Sequence, residues 1–536
     1  MKRLISILIA ASFLLASCGG NASLWGQYAT PTPPSGNPPT ASPAPAVVAT
    51  QTPTAVSPFV VETVNPVTPG PTFNEAFVTQ PVTALTDNTP VPTVNTPTVL
   101  YYAQSGDWLP AVAIRFGVDM NAIASPKVLP EKGLMDPGTL LIIPDALDHS
   151  LPSTPALQML PDNELIFSAT AIDFDISNYV KEAGGYISGY REYLGTTGWT
   201  SGAREIERLA YENSVNPRLL LAILDYEAQW VRGRPENDFR INYPLGYESY
   251  RYKGMFMQLV WAINQLTTGY YDWRSGKMVD LTFSDGNKLR IDPTLNAGTV
   301  GLMYYFSRNH SFNEWLRIMD QTSGFMSYYQ NMFGDPWSRS DASGPIFPPS
   351  ISQPEISLPF QLHAAWAFTS GPHGAWEHDG PLAALDFAPP SQKTGCLSSD
   401  KWIVASAPGL VVRSGNGVVV VDLDGDGSEQ TGWNLLYLHV ATNDRVAKGV
   451  WVEQDDHIGH PSCEGGVSTG THLHIARKYN GEWILAAGAL PFVLSGWTVY
   501  AGDRPYQGKL VKGDKVITAD LYGQSLAVIL RDDNDE

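Results

Sequence analysis

Three cysteines in 536 residues leave room for one disulfide at most. Charge is also sparse, at 16% of the chain, and the positive sign is sparser: 34 Lys and Arg stand against 53 Asp and Glu, a net charge of -19. Phosphate binding rests on clustered Lys and Arg that release counterions, so this balance excludes a nucleic-acid partner. The apolar run Leu4–Leu15 is too short to span a bilayer, and with Lys2 and Arg3 before it the segment reads as an export signal. What the chain does have is apolar content of 43% and 42 prolines. It can therefore fold over most of its length, into two to four domains, with at least one extended non-globular stretch.

The export segment ends in Leu15-Ala16-Ser17-Cys18. This resembles the lipobox of bacterial lipoproteins and implies cleavage before Cys18, diacylation of its thiol, and attachment to a membrane at the outer face of the cell envelope. An ordinary secretory signal with a chance cysteine is the other reading, and both take the protein out of the cytoplasm. Outside the cell the remaining pair, Cys396 and Cys463, is expected to form a disulfide. Closing that loop stabilises the fold by about 4 kcal/mol in the chain-entropy model. A zinc ligand at Cys463 is the alternative.

Residues 19–98 are dominated by Pro, Thr, Ala, Ser and Val and read as a linker. Extended at about 3.1 Å per residue, the stretch reaches roughly 200 Å. In residues 99–146, Leu109, Val112, Ala113 and Phe116 share one helix face, and Leu140-Leu141-Ile142-Ile143 reads as a strand. Ser105-Gly106-Asp107, Arg115-Phe116-Gly117-Val118 and Pro137-Gly138 before Ile142-Ile143-Pro144 resemble a LysM module. The resemblance implies a βααβ fold that binds peptidoglycan glycan, with Trp108 where a Thr is usual.

Residues 165–336 are helix-rich and aromatic. Asn216-Pro217 suits a helix start, and Leu220, Ile223, Glu227 and Trp230 fall on one stripe of the helix that follows. A carboxyl on an apolar face has a raised pKa, as a general acid for glycoside cleavage requires, though a lone Glu at the edge of a core stripe serves equally well as a hydrogen-bonded structural residue. The run Val215-Asn216-Pro217-Arg218-Leu219-Leu220-Leu221-Ala222-Ile223 leading to Glu227 resembles the catalytic helix of lysozyme-like lytic transglycosylases. Gly254 followed by Phe256-Met257-Gln258-Leu259, and Asn296 with Gly301, Tyr304 and Tyr305, are similar to their later motifs. Ala228 departs from that pattern, as does the residue inserted after Gly254. A degenerate, glycan-binding domain fits the same sequence.

Residues 337–358 read as a second linker, residues 359–500 as a β domain of short β-branched runs such as Val418-Val419-Val420-Val421, and residues 501–536 as a C-terminal extension without evident chemistry. Eight of the ten histidines lie between His363 and His474. In Thr471-His472-Leu473-His474, strand alternation sends both imidazoles to one face, and in Tyr437-Leu438-His439 it pairs a phenol with an imidazole. The segment from Gly371-Pro372-His373 to Leu385-Asp386-Phe387 adds a His and an anion, and three protein ligands leave a zinc ion its fourth position for water. Asp422-x-Asp424-x-Asp426-Gly427 invites a calcium reading, but Trp433 stands where an EF-hand loop needs Glu, which favours a solvated acidic turn.

Together these segments resemble the lysostaphin and LytM type of zinc endopeptidase, most closely its beta-lytic branch, over about residues 359–490. The resemblance implies one Zn2+ held by His373, Asp386 and His474, with His378 as rival for the first position. It implies His439 and His472 as general base and stabiliser of the tetrahedral intermediate, with Tyr437 near them. The expected whole is a multidomain α+β protein: LysM module, helical lysozyme-like domain, and a mainly antiparallel β zinc peptidase domain. Three functions compete: cleavage of peptide bonds in peptidoglycan, cleavage of its glycan through Glu227, and a non-catalytic wall-binding scaffold or activator.

Overall fold

The computed structural model describes residues 97–376, 379–391 and 395–535. Cys18, nearly all of the 19–98 linker and His378 lie outside the described residues.

The first module pairs strands Thr98–Tyr102 and Leu140–Pro144 antiparallel, with helix Leu109–Phe116 between them. Gly117, in the left-handed region, ends the helix and returns its N–H to Ala113 and Ile114 carbonyls. The second helix of the expected βααβ pattern is only a 3-10 turn, Met120–Ala122. Asp119 caps that turn, and two residues beyond it Ala124 already bridges to Ile142, so the chain enters the sheet before an α-helix can form. The module is docked on the helices that follow. Arg115, buried and paired with Asp107 at 2.7 Å, lies over the Trp273 ring, while Trp108 Nε1 donates to the Arg274 carbonyl at 3.2 Å.

Helix Pro217–Ala228 begins where Asn216 accepts from the Arg218 N–H, and eight of its residues between Pro217 and Asp225 are buried. Beside it, helices Met255–Ser275 and Ala297–Asn309 cross at Gly269 and Gly301, where a Cβ on Gly269 would sit 2.9 Å from the Gly301 Cα. Helix Pro336–Ser343 then occupies part of the expected second linker, capped by Asp335. Ile346, Phe347, Ile356 and Leu358 are buried, so residues 337–358 form a packed connection.

A nine-stranded sheet forms the second half. From edge to edge it runs Trp451–Val452, Gly409–Gly415, Val418–Asp422, Trp433–Leu438, Leu473–Tyr479, Leu382–Ala388, Ala365–Gly374 and Val528–Leu530, with Glu482–Trp483 returning on Leu473–Tyr479. Its neighbours pair antiparallel. The last strand comes from the C-terminal extension, which therefore completes the sheet. Both faces are covered. Val419, Val421, Leu435, Tyr437, Leu473 and Ile475 point into the β domain's own core. Val418, Val420, Leu436, Leu438, Ala384 and Ala476 join the core of the helical half. The hairpin around Gly481 packs against the helices. Tyr270 donates to Glu482 at 2.6 Å, and a Cβ on Gly481, whose φ is +83, would meet the Phe167 carbonyl oxygen at 2.1 Å.

One buried ion cluster sets an acid limit on this half. Glu429 contacts Arg413 Nε at 2.6 Å and Lys478 Nζ at 3.0 Å. Burial alone would raise its carboxyl, but the two cations override that and hold it at about 2 against an ordinary 4.5. A depressed carboxyl contributes stability in full above its unfolded pKa and loses it as pH falls through the folded one. The contribution is about 3 kcal/mol, fading between pH 4.5 and 2. Urea midpoints should therefore fall more steeply with acid in the native chain than in Glu429→Gln, and parallel curves would show the cluster to be idle.

Candidate metal centre

Three strands deliver the expected ligands to the sheet face that looks toward the helices. His474 pairs with Asp386 across neighbouring strands, so their side chains stand side by side. His373 reaches the same face through a register shift at Gly371-Pro372: Ser370 pairs with Asp386, but His373, three residues on, pairs with Ala384. A regular strand would have turned His373 away, and the extra residue re-aims it.

The donor atoms converge. His373 Nε2 lies 3.1 Å from His474 Nδ1 and 3.2 Å from Asp386 Oδ1, and His474 Nδ1 lies 3.4 Å from the same oxygen. A tetrahedral ion with bonds of about 2.0 Å holds its ligands about 3.3 Å apart. The hydrogen bonding of the far nitrogens decides the tautomers. His373 Nδ1 donates to the Gly371 carbonyl at 2.9 Å, and His474 Nε2 donates to the Ala375 carbonyl at 2.9 Å. In the neutral rings the facing nitrogens are then both lone pairs, and Asp386 Oδ1 is buried without an aligned hydrogen bond. Two lone pairs and a carboxylate oxygen in van der Waals contact repel one another unless a cation sits between them, so these residues fit a metal ion.

Burial lowers the His474 imidazole; it also opposes protonation of His373, where the Asp386 charge wins and leaves the group above its ordinary value. Burial works against the Asp386 carboxylate, yet His373 and His472 hold it well below the carboxylate range.

His439 and His472 stand beside this triangle with ring centres 4.5 Å apart. His439 Nδ1 donates to the Glu464 carbonyl at 2.8 Å and His472 Nδ1 to the Gly470 carbonyl at 2.7 Å, leaving each Nε2 unprotonated in the neutral ring. His472 Nε2 is 3.7 Å from Asp386 Oδ1. Burial, reinforced by His472 and His474, pushes His439 down to about 3. The disulfide between Cys396 and Cys463 closes the rim. Cys463 precedes the Glu464 carbonyl that holds His439, while on the other side Leu397 N–H donates to Thr471 Oγ1, next to His472, at 2.8 Å.

Two sequence expectations fare differently. Tyr437 is not in the site. It lies on the opposite sheet face, wholly buried, with its hydroxyl accepting from the Ser406 N–H at 2.8 Å. Strand alternation joined it to His439, but His439 has a φ of +65, and this left-handed residue turns its own ring over to the metal face. Glu227 sits far along the chain's helical half with its side chain 4% exposed, and its Oε1 meets His310 Nε2 at 2.9 Å. Burial opposes the charge on His310, but the bond to Glu227 overrides it and raises the imidazole pKa.

Tyr506 was not foreseen. The C-terminal extension brings it over His373 at 4.7 Å, nearly parallel, and ties it there by Tyr506 N–H to the Pro372 carbonyl at 3.0 Å and Gly371 N–H to the Tyr506 carbonyl at 2.8 Å. A Cβ on Gly371 would strike Gln507 at 2.5 Å, so the glycine before His373 is what admits this loop. Elsewhere, Asp422, Asp424 and Asp426 bring carboxylate oxygens within 4.8 Å of one another, with Asp422 accepting the N–H groups of Asp424, Gly425 and Gly427 as a turn.

The chain is similar to several known proteins. A family model described as the LasA N-terminal domain matches residues 158–346. Protease LasA of Pseudomonas aeruginosa strain PAO1 is 23% identical over 351 residues, covering 62% of this chain and 76% of that protein. Beta-lytic metalloendopeptidase of Achromobacter lyticus is 26% identical over 158 residues, 28% of this chain and 39% of the other. Among solved structures, the M23 metalloprotease pseudoalterin, from the deep sea, covers 32% of this chain and 96% of its own at 19% identity and a TM-score of 0.25. The catalytic domain of lysostaphin from Staphylococcus simulans covers 23% and 83% at 22% identity and a TM-score of 0.17. The two sequence relatives are named as a protease and a metalloendopeptidase, and this chain is similar to both.

Proposed function

We propose that this chain is a zinc metalloendopeptidase that hydrolyses peptide bonds in the stem peptides or crossbridges of peptidoglycan. The observation that carries the reading is the triangle of His373 Nε2, Asp386 Oδ1 and His474 Nδ1, with both rings held by backbone carbonyls in the tautomer that exposes a lone pair. When bound there, zinc supplies Lewis acidity, which acidifies water and polarises a scissile carbonyl. His439, its Nδ1 tied to Glu464, offers Nε2 to take a proton from the attacking water and return it to the leaving amine. His472 and the Tyr506 hydroxyl flank the developing oxyanion, and Tyr506 supplies a neutral donor, because burial and then the Asp386 charge raise its pKa. The buried Glu227 and His310 pair gives no observation that favours glycan cleavage.

In the same reading, Cys18 anchors the enzyme to a membrane at the cell surface, residues 19–98 give it reach, and the LysM-like residues 99–146 bind wall glycan. The test begins with the purified full chain. One equivalent of zinc by elemental analysis, and new amino termini in digested peptidoglycan by mass spectrometry, are expected. Chelation should abolish the termini and zinc should restore them. Cutting that persists at full rate in metal-free protein would refute the assignment.

A further inference from the structure

We propose that a cleft between the helical half and the sheet is a subsite for the glycan strand of the wall polymer, an inference that rests on the peptidoglycan reading above. The cleft has a volume of about 910 Å³. One wall is the hairpin of Arg191–Leu194 and Gly198–Ser201, the other the turn joining strands Gly409–Gly415 and Val418–Asp422.

Trp199, which lines the cleft, is 72% exposed, and its cross-strand partner Tyr193 is 63% exposed. Their rings meet edge to face at 6.0 Å, which fixes the indole as a platform at the mouth. A wide aromatic ring left in water favours a ligand with one apolar face and a polar rim, as the C–H face and hydroxyl edge of an N-acetyl sugar provide. The opposite wall answers the rim with Asn416; the Ser414 hydroxyl donates to the Val446 carbonyl at 2.6 Å and Thr197 Oγ1 meets Thr200 Oγ1 at 2.7 Å, so these two offer the rim acceptor lone pairs. Arg191 and Lys448 also face the cleft, and neither forms an ion pair among the described residues, whereas Arg204, Arg208 and Arg413 are each spent on a neighbouring carboxylate. Two free cations suit the carboxylates that stem peptides carry along a glycan.

The cleft is joined to the metal centre by its far wall. The Asn416 carbonyl lies against Gly465, where a Cβ would be only 2.6 Å away, and the Gly417 carbonyl accepts from Val440 at 2.9 Å. Gly465 follows the Glu464 carbonyl that holds His439, and Val440 follows His439 itself. A glycan lying in the cleft thus runs toward the site at which its peptide branch is cut.

Titration calorimetry of the full chain with a soluble tetrasaccharide of alternating N-acetylglucosamine and N-acetylmuramic acid bearing stem peptides tests this. Trp199→Ala should weaken binding about tenfold, the loss expected of one stacking contact, and Trp199→Phe should restore it to within threefold. Arg191→Ala with Lys448→Ala should weaken binding of the stem-bearing sugar but not of the peptide-stripped one. Hydrolysis of a short soluble peptide should stay within twofold of the native rate in all three proteins. A Trp199→Ala titration that superimposes on the native one, or no binding by the native chain, overturns the subsite. Loss of peptide hydrolysis in the native chain instead counts against the peptidase reading alone.

Discussion

His474→Ala is expected to lower peptidoglycan peptide hydrolysis by about 10³-fold or more and to strip the protein of its metal. Alanine removes one donor of three and leaves His373 Nε2 and Asp386 Oδ1 as a pair at 3.2 Å, too few to hold an ion at cellular concentrations. It also leaves the Ala375 carbonyl without the ring it had held. Zinc content and amino-terminal analysis report the two effects separately. Tyr506→Phe is the control that keeps the metal: it should cost about 10²-fold in kcat with KM within threefold, the signature of a donor used only in the transition state. A His474→Ala protein that retains stoichiometric zinc, or still cuts, would remove the triangle from the mechanism.

Trp483→Ala is expected to cost about 3–5 kcal/mol, among the largest effects available to one side chain outside the metal centre. The indole is 1% exposed at the junction of the two halves. Its Nε1 donates to the Asn213 carbonyl at 3.2 Å, its backbone N–H donates to the Tyr271 hydroxyl at 3.0 Å, and Lys478 Nζ lies 5.0 Å from the ring centre. Alanine leaves a cavity lined from both sides, which neither half can collapse into without moving the other. Urea unfolding followed by fluorescence and circular dichroism should show the midpoint falling, with the halves separating into two transitions. An unchanged midpoint would mean that the Trp483 contacts contribute nothing to stability.

The sequence carried the centre further than it carried the architecture. Leu473-His474 and Leu385-Asp386-Phe387 lie in regular strands, with His472 in a bridge to Ser462 just before the first, and for such extended segments alternation is a sufficient guide to which side chains meet. It failed at Tyr437 because one backbone angle, at His439, lies outside the regular pattern, and no residue type there announces it. Tyr506 was invisible for another reason: it reaches His373 across more than 130 positions, through a loop that only the packing of Gly371 explains. The joining of the halves was legible in principle. Four consecutive valines at 418–421, where a one-faced sheet would alternate with polar residues, mean a strand covered on both sides. Reading 337–358 as a linker drew attention away from that signal.

The docking of the first module on the helices, through Arg115 on Trp273 and Trp108 on Arg274, has a consequence for how a wall would be cut. A module swinging on its own tether would sample bonds at any distance from its grip. Under the proposed function, a gripping module fixed to the body that carries the metal centre would set a constant offset between the place held and the place cleaved, and the lengths of released fragments would then be expected to cluster.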